Sequence, residues 1–336
     1  MDLISDSNRW TPLNGGIIGA GDVTEKKSGP ALYKIEHSEL MAIMRRDEAK
    51  AKDYAQRHNV PKYYTDADDL INDPEINMIY VATPPPSSHK EYTIKALLAG
   101  KPVYVEKPMA MDYAECLEMV SAADNAKQKL FVAYYRRGLP YFRKVKELLD
   151  SNIIGKVLSV DVKYIRPASE ADKDVNIQPW RVKKDIAGDG YFFDMAPHTL
   201  DILDFLLGEI EDAKGYACNL AGYYQVSDTV SAIMKFKSGA TGTGLWCFVS
   251  PEEARQDTVT IMGMNGSIKF NTFSFQPIAV VSGHQVSYYE TDQPEHIQQP
   301  LIQTIVDELR GIDTCPSTGV SGARTSRIMD MITGSL

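Results

Sequence analysis

Cysteine is scarce in this chain, four residues in 336, and no two stand close enough to form a Cys-x-x-Cys pair. That excludes a disulfide scaffold and a cysteine-built metal cluster. Cys116, Cys218, Cys247 and Cys315 read as reduced packing residues of a cytosolic protein. No His-Glu-x-x-His or Cys/His cluster occurs, so no metal is expected. Positive charge is also in deficit, with 36 Lys plus Arg against 45 Asp plus Glu and a formal charge of -9. Without a basic block, nucleic acid is not expected as a partner, though a local pocket can still hold an anion. No apolar run is long enough to cross a bilayer, so no membrane partner is expected either. The opening Met1-Asp2-Leu3-Ile4-Ser5-Asp6 has no basic region followed by an apolar core, so no signal peptide is expected and the expected location is cytoplasmic.

The sequence does hold enough apolar residue, 43%, for sizeable cores, and its length points to two domains. In the first half, short apolar strands alternate with helical patterns. The strands are expected at Gly15–Gly19, Leu40–Met44, Asn77–Ala82, Pro102–Val105 and Leu130–Tyr134. Between them, Asp47 caps a helix running to about His58. Ser87 or Ser88 caps a second, with Ile94, Leu97 and Leu98 on one face, and Asp112 starts a third that buries Leu117 and Val120. Near-continuous apolar strands between helices indicate a parallel sheet covered on both faces. From about Ile154 the residues alternate instead, and glycines punctuate short turns, which predicts a largely antiparallel sheet. Helical patterning returns at Ile297–Arg310 and Val320–Ile332.

The first strand runs into Gly19-Ala20-Gly21-Asp22-Val23-Thr24, most of a Gly-x-Gly-x-x-Gly fingerprint with Thr24 at its third position. The first glycine permits a tight turn, and the second lets the backbone approach a pyrophosphate at a helix start. A plain strand-to-helix turn is the structural alternative. After the second strand, where an acid would bind the ribose hydroxyls of NAD, come Arg45 and Arg46, and the first acid is Asp47. Guanidinium groups bind a 2′-phosphate bidentately, which favours NADP over NAD. Thr83-Pro84-Pro85 stiffens the loop after the third strand, with His89 soon after.

The fourth strand ends on Glu106-Lys107-Pro108. Ligands bind at the carboxyl ends of parallel strands. A lysine there can reach a substrate and take part in proton transfer, or it can simply snorkel. In the second half, Gly188-Asp189-Gly190 opens a helix to Gly208, and Pro197 is acceptable only near its start. Asp194, His198 and Asp201 fall at i, i+4 and i+7, on one face. A carboxylate beside a histidine fixes its tautomer and raises its proton affinity. Asp194 as an N-cap and His198 as a core residue are the structural alternative. Trp180 can stack on a sugar and Arg181 can hold polar oxygens, or both can be structural.

These residues together resemble the glucose-fructose oxidoreductase / inositol dehydrogenase (Gfo/Idh/MocA) family, from about Gly15 to the C-terminal helix. The resemblance implies an α/β chain: an N-terminal Rossmann parallel sheet (12–135), a C-terminal α+β domain with an open, mostly antiparallel sheet (136–296), and helices returning to the first domain (297–336). It implies an active site between the domains and an oligomer, a homodimer or homotetramer, formed through the open sheet. Lys107, Asp194 and His198 match its catalytic positions. The residues expected to hold the dinucleotide are Gly19, Gly21, Asp22, Val23, Arg45, Arg46, Thr83, Pro84, His89, Glu106 and Lys107, and Trp180, Arg181, Asp194 and His198 are expected on a sugar-like substrate. Arg45-Arg46 and Trp180-Arg181 look similar to the NADPH-dependent anhydrofructose reductase branch. Thr24, at a normally small position, and Tyr135, where many members carry asparagine, depart from the pattern. The expected activity is hydride transfer between NAD(P) and a hydroxyl or carbonyl carbon, with Lys107 and His198 handling the proton. An NAD-dependent glycosidase with transient redox and a non-enzymatic dinucleotide sensor are the alternatives.

Overall fold

The computed structural model describes residues 12–336 apart from Pro85 and the side chains of Asp185 and Ala187, so the expectations for Met1–Asp6 and for Pro85 lie outside the described residues. The chain divides into two units. The first comprises the residues up to Leu139 together with Pro294–Ala323, and the second comprises Pro140–Gln293 with Arg324–Leu336. These divisions stand beside the expected 135 and 296. The stretch 297–336 is shared between the units.

The first unit is built on a parallel sheet of order β3-β2-β1-β4-β5-β6. Its strands are β1 (Leu13–Ile18), β2 (Ser38–Met44), β3 (Lys62–Tyr64), β4 (Met78–Val81), β5 (Val103–Val105) and β6 (Leu130–Val132). Ile79, Val81, Val103 and Val105 are wholly buried, as expected for strands covered on both faces. β3 has no counterpart among the expected strands. It is a three-residue edge strand of half-exposed and exposed side chains, Lys-Tyr-Tyr, with no apolar run to betray it.

The helices of this unit are α1 (Asp22–Lys26), α2 (Gly29–Lys34), α3 (Glu48–Arg57), α4 (Ala67–Asn72), α5 (His89–Leu98) and α6 (Tyr113–Ala126). The Asp47 carboxylate accepts the Lys50 amide and caps α3, and Asp112 caps α6 on the Glu115 amide. Two predicted faces need correction. α6 buries Cys116, Met119 and Ala123, leaving Leu117 47% exposed, and on α5 Leu97 is buried while Leu98 is 70% exposed. Each buried Leu or Met is worth about 1.5–3 kcal/mol.

A charge cluster ties α1 to α3. Arg57 donates to both Glu25 oxygens at 2.8 and 2.8 Å, and His58 Nε2 lies 2.9 Å from Glu25 Oε2. The Arg57 hydrogen bonds, aided by His58 against a burial penalty, hold the Glu25 pKa at about 2 instead of 4.5. A carboxylate lowered in the folded state stabilises it fully above 4.5, and this contribution drains away as pH falls towards 2. Urea unfolding at stepped acid pH should therefore lose stability across that window, and Glu25→Gln should flatten the slope. An unchanged slope would contradict the assignment.

The second unit carries the sheet β14-β13-β12-β11-β7-β10-β9-β8. Its strands are β7 (Val157–Ile165), β8 (Ile210–Cys218), β9 (Thr229–Phe236), β10 (Thr241–Cys247), β11 (Gln256–Gly263), β12 (Gly266–Phe270), β13 (Ile278–Ser282) and β14 (Gln285–Tyr289). Only β7 and β10 pair in parallel. The helices around them are α7 (Pro140–Asp150), α8 (Glu170–Lys173), α9 (Lys184–Ala187) and α10 (Tyr191–Leu207). α11 (Gln299–Leu309) belongs to the first unit, and α12 (Gly319–Thr333) is shared.

One face of the second sheet is core. Val230, Ala232, Met234 and Phe236 of β9 point into it, and Phe192 of α10 packs edge-on against Trp246 of β10 with ring centroids 5.3 Å apart. Strand register puts Tyr216, Ile233, Met262 and Tyr288 on the opposite face, exposed by 79, 62, 43 and 70%. Pro197 lies inside α10, in its second turn rather than at its start. It forgoes the bond to the Phe193 carbonyl. The buried Phe192, Ala196, Leu200 and Leu203 hold the helix in place across that gap. Among the described residues no helix is long and apolar enough to cross a membrane.

Candidate functional site

The turn from β1 to α1 is made by glycines for two different reasons. Gly19 has φ +88°, and a Cβ there would lie 2.6 Å from Thr83 Cγ2 and 2.8 Å from Thr83 Cα. Its amide and that of Ala20 both bond the Met44 carbonyl, at 3.0 and 3.2 Å. Gly21 has ordinary extended dihedrals, and a Cβ would meet nothing closer than Gly19 O at 3.8 Å. Among the described residues nothing crowds a side chain at 21, so glycine there leaves open space beside the turn that a ligand could use.

Thr24 takes the third fingerprint position without disturbing the packing. It is fully buried, and its hydroxyl accepts the Gly21 amide at 3.0 Å and donates to the Gly21 carbonyl at 2.8 Å. The room comes from Gly29, where a Cβ would stand 2.2 Å from Thr24 O. Asp22 and Val23 open α1, and helix starts leave such amides without an intrahelical acceptor.

Beside this turn lies a cavity of about 440 Å³, lined by Gly19, Ala20, Gly21, Met44, Arg45, Arg46, Asp47, Lys50, Thr83, Pro84, Ser87, Ser88 and Tyr92. The structure thus brings Gly19, Gly21, Arg45, Arg46, Thr83 and Pro84 together, while Asp22 and Val23 lie outside the lining. Sequence reasoning missed Lys50 and Tyr92, whose only signal was a place on the first turns of α3 and α5. The single carboxylate in the wall, Asp47, is spent on its cap: Oδ1 accepts the Lys50 amide at 3.1 Å, and Lys50 Nζ stands 3.6 Å from Oδ2. The backbone bond from Lys50 lowers its pKa and keeps it ionised. Three cations, Arg45, Arg46 and Lys50, therefore face the cavity against one committed anion. Glycine turn, size and charge fit a dinucleotide.

Two of the expected cofactor residues, His89 and Glu106, carry hydrogen bonds within the fold. His89 is 1% exposed, with Nε2 2.8 Å from the Thr83 carbonyl and Nδ1 2.9 Å from the Pro108 carbonyl. Both ring nitrogens stand within hydrogen-bond distance of a backbone carbonyl, one in each of the loops after β4 and β5, and burial, opposed by these carbonyls, lowers the His89 pKa. Glu106 is 8% exposed. Its Oε1 accepts the Tyr80 hydroxyl at 2.6 Å and the Gln298 amide at 2.7 Å, and its Oε2 accepts the Lys107 backbone N–H at 3.2 Å. Gln298 in turn accepts the Tyr104 hydroxyl at 2.7 Å. Burial, then the Glu106 charge, raises both tyrosine pKa values well above 10, so both stay donors. Glu106 thus holds the Lys107 backbone. Lys107 itself is half-buried just past β5.

In the second unit α10 carries Asp194, His198 and Asp201, as the spacing predicts. Gly188 and Gly190 enter it at φ +59° and +70°, and a Cβ on Gly190 would strike Val226 Cγ2 at 2.3 Å. Asp194 accepts a 2.8 Å bond from Arg181 Nε, and the Arg181 guanidinium lies 4.8 Å over the Trp180 ring. Trp180, Arg181 and Asp194 thus form one group. The carboxylate that was expected to orient His198 has Arg181 as a partner. His198 is 6% exposed and meets Phe273 edge-to-face at 5.8 Å. Asp201 lies 3.4 Å from the Thr325 hydroxyl. Tyr135 is buried, with Arg136 stacked 4.9 Å over its ring.

Comparisons with known proteins show the family and the fold. A family profile described as oxidoreductase family, NAD-binding Rossmann fold, matches residues 13–134, and one described as GFO/IDH/MocA C-terminal domain matches residues 142–269. Oxidoreductase P35 of Formosa agariphila is 41% identical over 326 residues, covering 96% of this chain and 98% of its own. The 1,5-anhydro-D-fructose reductase of Ensifer adhaerens is 29% identical over 238 residues, 69% of this chain and 67% of its own. The structure of levoglucosan dehydrogenase in complex with NADH and levoglucosan shares the fold, with a TM-score of 0.84 at 23% identity over 96% of each chain.

Proposed function

Because this chain belongs to the Gfo/Idh/MocA oxidoreductase family, we propose that it couples NADP(H), in preference to NAD(H), to a hydroxyl or carbonyl carbon of a sugar-like or cyclic polyol. The observation that carries the cofactor choice is the cavity wall, where Arg45, Arg46 and Lys50 stand beside an Asp47 already committed to the α3 cap. A free carboxylate there would repel a 2′-phosphate, whereas guanidinium groups hydrogen-bond it. NADPH and NADH should be titrated side by side into the unaltered protein and an Arg45→Ala/Arg46→Ala variant. NADPH should bind at least about tenfold more tightly, and the variant should lose that margin, one lost charge-assisted bond being worth about 1.5–3 kcal/mol. Equal affinities in both proteins would contradict the choice.

When bound, the nicotinamide accepts or supplies the hydride. The chain's own work is to hold and protonate. Gly19, Gly21 and the start of α1 cradle the phosphates, and Thr83 and Pro84 close the wall. Lys107 hydrogen-bonds the reacting oxygen and offsets the charge growing on it. His198 exchanges the proton with that oxygen. Trp180 and Arg181, with Asp194, hold the substrate ring and its hydroxyls.

The exposed face bearing Tyr216, Ile233, Met262 and Tyr288 is proposed to close a homodimer or homotetramer. Light scattering should show an oligomer that Ile233→Lys reduces to monomer. A monomeric unaltered protein would refute this.

A further inference from the structure

Two arginines reach the N-terminal end of α10 in the second unit, and their surroundings differ. Arg181 is paired with Asp194 at 2.8 Å. Arg166, one residue past β7, is half-buried, and among the described residues no carboxylate oxygen comes within 4.0 Å of it. Its backbone is fixed on both sides, the amide to Cys247 O at 2.8 Å and the carbonyl to the Ser250 amide at 3.2 Å. Its guanidinium lies 4.2 Å over the Tyr191 ring and 5.6 Å from that of Phe248, and Nη1 bonds the Pro167 carbonyl at 3.1 Å. A guanidinium stacked by its face keeps its N–H edge for in-plane bonds, the geometry that a carboxylate matches.

The acid of this cluster cannot serve as that partner. Asp172 is fully buried, with Oδ1 taken by the Tyr191 hydroxyl at 2.6 Å and Oδ2 by the Ser169 amide at 2.8 Å. The same cluster also holds a spare donor. Tyr224 is 6% exposed, its ring stands edge-on to Tyr191 at 6.2 Å, and its buried hydroxyl has no hydrogen-bond partner among the described residues. From Arg166 a chain of rings leads to His198: Phe248 to Tyr164 at 6.1 Å, Tyr164 to Phe273 at 4.6 Å, and Phe273 to His198 at 5.8 Å. Half-buried Tyr164 and Phe273 offer apolar faces of the kind on which the carbon face of a sugar ring stacks.

We propose that Arg166 is an anion subsite and that the substrate is a sugar-like ring carrying a carboxylate, of the uronic acid class. A phosphate dianion suits the place less, because Arg166 shares the cluster around Tyr191 with the Asp172 carboxyl group. The inference rests on the oxidoreductase reading above and narrows its substrate.

The test compares D-glucuronate with D-glucose, using NADP+, the unaltered enzyme, Arg166→Gln and Arg166→Lys, with thermal unfolding as a control on folding. The unaltered enzyme should show the lower KM for glucuronate. Arg166→Gln should raise the glucuronate KM at least about tenfold more than the glucose KM, and Arg166→Lys, which keeps charge without the planar fork, should recover part of the difference. Equal rises for both sugars, or no preference in the unaltered enzyme, would overturn the subsite. If neither sugar is turned over, calorimetric binding to the NADP-loaded protein decides. Glucuronate preference lost in Arg166→Gln upholds the subsite and places the fault in the redox reading, whereas equal binding sinks the subsite. Turnover of both sugars with no preference sinks the subsite alone.

Discussion

Lys107→Ala is expected to leave NADPH affinity nearly unchanged while lowering kcat by roughly 10²- to 10⁴-fold, the range that a positioned proton-handling group contributes. The expectation follows from how the residue is held. β5 brings it to the carboxyl edge of the parallel sheet, and the preceding Glu106 fixes its backbone N–H from a buried network of Tyr80, Tyr104 and Gln298. The bond from this network to Lys107 goes to its backbone N–H, and Lys107 is not part of the cavity lining, so truncating the side chain should spare both the scaffold and the cavity around Arg45 and Arg46. Steady-state rates beside a binding titration separate the two effects. A variant that binds NADPH normally and turns over at the unaltered rate would remove Lys107 from the mechanism.

Gly19→Ala should be among the most damaging changes of its size in the first unit. A side chain at φ +88° is strained by about 1–2 kcal/mol, and a Cβ 2.6 Å from Thr83 Cγ2 and 2.8 Å from Thr83 Cα forces β1 and β4 apart at about 1–3 kcal/mol more. A loss of about 2–5 kcal/mol in urea unfolding is a large share of a normal domain's stability, and the turn that holds the dinucleotide would go with it. Gly21→Ala makes the useful contrast. Its Cβ meets only Gly19 O, at 3.8 Å, so stability should hold while NADPH binding weakens. Equal stability in both variants would mean that the turn is not under the constraint described.

The difference between those glycines shows how far the sequence could be read. The strands of the first sheet were legible because burial on both faces leaves them apolar throughout, and β3 was not, because an edge strand of Lys62, Tyr63 and Tyr64 carries no such run. On α6 two stripes three residues apart compete. The smaller set, Cys116, Met119 and Ala123, faces the core, and the larger Leu117 does not. The glycine turn and the two arginines could be placed because their neighbours are close in sequence. The internal bonds of Glu106 and His89 could not be read, because their partners are a glutamine 192 residues away and two backbone carbonyls, neither of which leaves a local pattern. Arg181 could be seen as a polar contact, yet its pairing with Asp194, 13 residues on, depends on how the turn at Gly188–Gly190 enters α10.

The most direct test of the central claim follows the hydrogen itself. A panel of sugars and cyclic polyols deuterated at their carbinol carbons, uronates included, is incubated with the protein and NADP+, and the dinucleotide is analysed by mass spectrometry. The account predicts that deuterium appears on the nicotinamide ring in step with substrate oxidised. Substrate consumed while the dinucleotide stays unlabelled and oxidised, or a dinucleotide that binds while no member of the panel is consumed, would contradict it.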